Sequence, residues 1–348
     1  MAILRTLAVL GILLLPYFGQ SQNKMTPQNY LDSIYTLAQN TALLRDSVDW
    51  DSIKKKYYQL GKDAKSVSEI IPAVKYLLKS LNDFHGRIWV DRVPHNGLIK
   101  DFPPSDFEVP KGLVHGYRHG TIPFEGKLLG SNIGYLQVPS IQMSEADAEN
   151  AKKIKSKICE IKTKHNPDGW ILDLRLNGGG TMYPMLAGLS PFLGKDTVGY
   201  FMDFSDTYAA PWFFKNGELF IGDYQGTDYK IQLENCEDLD LKDAKVAVLI
   251  AAPTTSSGEI TALAFQKRKN TLFIGENTGG YTTGVSWVPL SENVVIQITT
   301  SVYADRNKKT YNGTSVLPDI HIQGGQNFND LESDKMIIEA TKWIENKK

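Results

Sequence analysis

Between Gln28 and Leu81 apolar residues recur every three to four positions: Tyr30, Leu31, Ile34 and Tyr35, then Ile53, Tyr57 and Leu60, then Ile70, Val74, Leu77, Leu78 and Leu81. That spacing stacks them on one helix face and predicts a small helical bundle, with Asp49-Trp50-Asp51 as a helix start and Gly61 as a stop. The period then changes. Ile88 to Val90, Ile133 to Pro139, Trp170 to Arg175, Thr271 to Ile274, Val285 to Leu290 and Val294 to Val302 are apolar or alternating runs of strand length. His85 therefore falls on a helix-to-strand junction. Helices are predicted from Ser144 to Lys164 with Ser144 as cap, from Met182 to Leu193, after Ile260, and from Asn329 to Asn346. Asp91 to Lys127 reads as a few strands in loops, and Gly199 to Leu241, rich in aromatics and turn residues, as a β-rich insertion over the site. Strands alternating with helices predict a layered α/β core.

The stretch Val246-Ala-Val-Leu-Ile-Ala-Ala-Pro-Thr-Thr-Ser-Ser-Gly-Glu-Ile260 breaks this pattern most informatively. A buried strand gives way at Pro253 to small hydroxyl residues and reopens as a helix. A serine in such a turn has two readings. Thr255, Ser256 or Ser257 can simply cap the helix, because a side-chain oxygen there satisfies an unpaired backbone N–H. Equally, an oxyanion forming beside that hydroxyl meets those same N–H groups and the positive helix end. A second such place follows Trp170 to Arg175, where Asn177-Gly178-Gly179-Gly180 lets the backbone turn through positive φ and expose its amides.

The 348 residues suit one large or two ordinary domains, and 38 Lys plus Arg balance 39 Asp plus Glu without blocks of one sign, which argues against a nucleic-acid partner. The start, basic at Arg5, apolar from Leu7 to Phe18, then small at Gly19 and Ser21, predicts a signal peptide over residues 1–21 and an exported, secreted or periplasmic protein. The apolar run is too short to span a bilayer, so no stable membrane insertion is expected after cleavage. Cys159 and Cys236 lack metal-ligand spacing; one bridge between them is allowed but not demanded, and Cys159 is expected as a buried apolar residue.

Four segments occur in one order: Asp173-Leu-Arg-Leu-Asn-Gly-Gly-Gly180, Thr255-Ser-Ser-Gly-Glu259, Ile274-Gly-Glu-Asn-Thr-Gly-Gly280 and Val316-Leu-Pro-Asp319. Together they resemble the S41 peptidases, the family of C-terminal processing proteases and the tricorn core, over roughly residues 30 to 345. The resemblance implies a ClpP/crotonase-like α/β core from residue 85 to 348, after a helical bundle over 25–84, and serine-peptidase activity on peptides or unfolded chains. It implies no metal or organic cofactor.

On the matching positions Ser256 is the nucleophile, with Ser257 as competitor, and the oxyanion hole is the amide of Ser257 with one from the glycine loop, Gly179 ahead of Gly180. Where the processing proteases carry a lysine base this chain has Tyr281, which leaves His85, the residue matching the tricorn-like branch. Asn312 holds the place of that branch's acid, with Glu259, Asp305 and Asp83 as alternatives for orienting the imidazole. Asp173, Arg175 and Asp319 read as structural. The stretch between His85 and Ile133 is too short for the PDZ module many members carry. Two rivals remain: a binding protein for apolar ligands on the same fold, like the retinoid-binding repeats of the interphotoreceptor matrix protein, and a hydrolase of small esters.

Overall fold

The computed structural model describes residues 25–130, 132–142, 144, 146–203, 209–215, 217–222, 224–225, 236 and 239–346. The predicted signal peptide lies outside them. The chain divides into two compact units.

The first unit contains the N-terminal residues through Asp101 and the segment Thr283–Val302. Its helices are α1 (Pro27–Thr41), α2 (Trp50–Gly61) and α3 (Val67–Ser80). Two of the starts have a local cause: Thr26 accepts from the Asn29 amide with Pro27 behind it, and the Asp49 carboxylate accepts from Asp51 and Ser52. Strand β1 (Arg87–Val90) pairs antiparallel with β2 (Val93–Asn96) and with the strand Val294–Ala304. Alternation along β1 turns Ile88 and Val90 inward, where they join Leu31, Ile34, Val74 and Leu77 of the helices and Ile296 and Ile298 of the long strand. The helices therefore share one core with a sheet that includes residues from far along the chain, and the division expected after residue 84 falls inside this unit.

The second unit is built on a sheet of β3 (Glu125–Leu129), β4 (Ile133–Gln137), β5 (Gly169–Asp173), β6 (Val246–Ile250), β7 (Thr271–Gly275) and β8 (Ile320–His321), in that spatial order. All pairs are parallel except β3 with β4. Helix α4 (Asp147–His165) connects β4 to β5, and α5 (Ser257–Phe265) connects β6 to β7. Every residue of β4, β5 and β6 is buried, as a parallel sheet covered on both faces requires. One face packs Ile171, Leu249 and Ile274 against Met336, Ile337 and Ala340 of α6 (Lys335–Glu345). Trp170 meets Phe192 edge to face, with ring centroids 5.3 Å apart.

The layered α/β reading holds, and the differences from the predicted elements have local reasons. The predicted helix over Met182 to Leu193 is two, Tyr183–Gly188 and Ser190–Leu193, with Pro191 opening the second. Helix α6 begins only at Lys335 because Asp334 caps it through the amides of Met336 and Ile337. A short helix, Val114–His119, lies where only strands and loops were expected. Cys159 is not a buried apolar thiol. It forms a disulfide with Cys236, Cα atoms 6.1 Å apart, which ties α4 to the insertion.

Asp173 and Arg175 do close a strand end, with a third member that the sequence did not suggest. Arg175 donates to both Asp173 oxygens at 3.0 and 2.6 Å and to Asp334 Oδ2 at 2.7 Å. All three side chains are fully buried, and Tyr135 adds a hydrogen bond to Asp173 at 2.9 Å. The triad joins the central strand to the cap of α6.

Candidate active site

Strands β5 and β6 are neighbours, so the loops at their carboxyl ends lie side by side, where open α/β sheets bind ligands. Three bonds zip the two loops together. The Thr255 amide donates to the Asn177 carbonyl at 3.0 Å. Its hydroxyl donates to the Gly178 carbonyl at 2.9 Å, and Ser257 Oγ donates to the Gly180 carbonyl at 2.7 Å. Ser256 stands between these clasps, half-buried, at φ 54° and ψ −120°. L-residues seldom adopt that backbone, and holding one there costs about 1–3 kcal/mol. The Glu259 carboxylate helps hold it, accepting from the Ser256 amide at 3.0 Å, from the Gly280 amide at 2.8 Å and from Thr278 Oγ1. Glu259 is thus a brace between two loops, fully buried.

Gly179, at φ 104°, is where backbone must approach the serine. A β-carbon built there lies 2.8 Å from Ser256 Cβ and 3.3 Å from its Oγ. Its amide, however, already donates to Asn177 Oδ1 at 3.0 Å, and the Gly178 amide donates to Ser140 Oγ at 2.8 Å. The expected order put Gly179 first; here its amide is engaged with Asn177. Among the described residues the amides of Gly180 and Ser257 have no acceptor. Ser257 itself is held by the Gly180 carbonyl, which fits a structural hydroxyl better than a nucleophile.

The Ser256 hydroxyl has a neighbour that the sequence did not point to. Tyr303, buried, lies close enough for its phenol and the serine side chain to influence one another. Burial pushes the Tyr303 hydroxyl far above the usual tyrosine range, the serine pulls it back somewhat, and the Glu259 charge raises it again. Tyr303 therefore stays protonated and does not take the serine proton.

In the first unit His85 lies at the predicted junction between α3 and β1, buried. Its Nδ1 lies 3.1 Å from the Thr283 carbonyl oxygen and 3.0 Å from Thr283 Oγ1. A carbonyl can only accept, so Nδ1 carries the proton in the neutral ring and Nε2 is the basic nitrogen. Burial, then the positive charge of Arg87 and Lys100, pushes His85 down to about 3, against the Thr283 carbonyl, which raises it. The ring is therefore neutral at ordinary pH. Thr283 holds the place in which Asn312 was expected; Asn312 is an exposed turn residue of the second unit.

The other acids are spent elsewhere. Asp83 accepts from the amides of His85 at 3.1 Å and Thr299 at 2.9 Å, and from the Gly86 amide and Thr299 Oγ1, so it fixes the junction rather than the ring. Burial raises its carboxyl above the usual range while those bonds lower it. Asp305 Oδ1 accepts from the amides of Asn307 at 2.8 Å and Lys309 at 3.1 Å. Asp319 accepts from the Phe273 amide at 2.8 Å and fixes a sheet edge. No periodicity marks Thr283 or Tyr303, because both lie on strands whose partners are set by tertiary structure.

The sequence of residues 132–322 matches the family described as Peptidase family S41. A nisin-resistance protein of Lactococcus lactis subsp. lactis is 30% identical over 296 residues, 85% of this chain and 83% of that protein. A carboxy-terminal-processing protease of Bartonella bacilliformis is 29% identical over 197 residues, 55% of this chain; these are 39% of that protein, so only part of its length is shared. Among solved structures, a lipoprotein from Streptococcus agalactiae aligns with a TM-score of 0.71 over 94% of this chain and 99% of that one. At 21% identity this is a likeness of fold.

Proposed function

The chain belongs to peptidase family S41 and is a serine peptidase, and from that premise we propose that Ser256 is its nucleophile, His85 its general base, and the amides of Ser257 and Gly180 its oxyanion hole. The observation that carries this reading is a serine held at positive φ beside two amides without acceptors among the described residues. Ser256 Oγ attacks the peptide carbonyl as Nε2 of His85 takes its proton. The two amides stabilise the tetrahedral oxyanion, about 3 kcal/mol for each donor. The imidazolium then protonates the leaving amine, and water, deprotonated by the same nitrogen, frees the acid. Thr283 replaces a carboxylate with neutral acceptors, which orient the ring but stabilise its charged form less.

A fluorophosphonate probe tests this reading in one titration. It is expected to label Ser256, located by peptide mapping, with a rate at pH 5.5 within about twofold of that at pH 7.5, because His85 is pushed down to about 3. A histidine at its ordinary value near 6.5 loses about tenfold over that interval. Labelling elsewhere, or none, removes the nucleophile assignment; a steep acid limb removes the low histidine.

The substrates are peptides or proteins. The name of the Lactococcus relative makes nisin the first to offer. Export to an oxidising, extracytoplasmic compartment is part of the proposal, supported by the leader-like start and by the Cys159–Cys236 bridge. Protein secreted by an exporting host is expected to begin at Gln22 and to yield a peptide pair linked through those cysteines. Recovery with Met1 intact and both thiols free overturns it.

A further inference from the structure

Beside the residue preceding Ser256 the second unit carries an aromatic wall that the chemistry described above does not use. Phe102 lies over Gly279, its Cε1 2.9 Å from where a β-carbon there would stand, and the Thr255 methyl crowds the same point. Phe102 also meets Tyr281, with centroids 5.8 Å apart. On the other approach Tyr117 donates its hydroxyl to the Pro253 carbonyl at 2.8 Å, and its ring sits 3.2 Å from a β-carbon built at Gly178. Leu317 follows Val316, whose amide donates to Thr278 Oγ1 at 2.8 Å, next to Gly279.

Two features separate this wall from ordinary core. Phe102 is 52% and Leu317 61% exposed, and among the described residues of the second unit only Ile338 joins them as an exposed large apolar side chain. Apolar surface of that kind gathered beside a nucleophile marks a binding surface rather than scatter. Gly279 is also buried with no room for a side chain, because the Phe102 ring and the methyl of Thr255, the residue before Ser256, close on the same point.

We propose that Phe102, Tyr117, Tyr281 and Leu317 form the specificity wall of the peptidase, receiving a large apolar or aromatic side chain of the peptide residue whose carbonyl Ser256 attacks. This rests on Ser256 being the nucleophile. The occupant is the substrate, because the wall is continuous with Thr255 and Gly279, and a scissile residue bound at Ser256 must lay its side chain within one residue's reach of them. The tyrosine that stands in place of the processing proteases' lysine is then part of the recognition surface.

The test uses α-aminoalkyl diphenyl phosphonates bearing Phe, Leu, Ala, Lys or Glu side chains, which react by forming a bond from Ser Oγ to phosphorus and expelling phenoxide. Inactivation by the Phe and Leu probes is expected to be about tenfold or more faster than by Ala, Lys or Glu, the scale of one buried large side chain. Phe102→Ala should narrow the Phe-to-Ala ratio to about threefold or less, Phe102→Leu should keep most of it, and Ile338→Ala should leave it unmoved. Melting temperatures show that the variants fold. Equal rates for all probes with Ser256 labelled, or a ratio that Phe102→Ala leaves intact, overturns the wall while the nucleophile stands. Failure of both these probes and the fluorophosphonate to label Ser256 overturns the nucleophile and the wall with it.

Discussion

Ser256→Ala, His85→Ala and the double variant are expected to lose the same factor in kcat/KM for a peptide substrate, about 10⁴-fold or more. The proposed nucleophile and base act as one unit. A serine hydroxyl without a base is a poor nucleophile, and an imidazole without the serine has no proton to take. Removing the second member therefore costs little once the first is gone. The residual rate is expected to come from the proposed oxyanion amides of Ser257 and Gly180, which neither substitution touches. Steady-state kinetics on the three purified variants decide the matter. Loss factors that multiply, or a His85→Ala protein retaining more than about a tenth of the activity, mean that another group takes the proton. Tyr303 is not a candidate for that group, since burial holds its hydroxyl protonated.

Arg175→Met is expected to destabilise the folded protein by about 3–5 kcal/mol. Methionine fills much of the arginine's volume, so the cost comes from charge more than packing. Asp173 and Asp334 are left buried without the cation that each contacts at 2.6 and 2.7 Å. Arg175 itself is held firmly charged: burial works against it, but Asp173 and Asp334 raise it above the usual arginine range. The guanidinium also lies over the Phe328 ring, 4.7 Å from its centroid, and that contact goes as well. Adding Asp173→Asn to Arg175→Met should recover part of the loss by removing one unpaired charge. Urea unfolding measures both. A midpoint for Arg175→Met that implies less than about 1 kcal/mol of loss means that the triad is not what joins the central strand to α6.

Ser256 and the ion cluster lie at the ends of neighbouring strands of one sheet. Strand β5 ends at Asp173, and Arg175 follows it on the way into the glycine loop beside Ser256, so a residue of the ion cluster lies only a few positions from the proposed oxyanion amides. Arg175→Met can therefore lower activity indirectly, and a melting curve taken beside the kinetics separates the two effects.

What the sequence determined by itself was whatever depends on neighbours in the chain. The periodicity from Tyr30 to Leu81 marked the helices, the apolar runs marked the buried strands, and Asp49 marked a helix start, because each follows from contacts a few residues apart. The strand, turn and helix around Ser256 were legible for the same reason, and the four ordered motifs named the family. Tertiary structure alone decided which groups serve which atoms. Thr283 meets the His85 ring across 198 positions of sequence. Asn177 takes the Gly179 amide and thereby moves the open donor to Gly180. Asp334 completes an ion cluster by meeting Arg175 across 159 positions, and Cys236 reaches Cys159 across 77. No local pattern encodes such pairings: a hydrogen-bond acceptor or counter-ion is selected by the packing of the sheet, and many side chains in the sequence could have filled each place equally well.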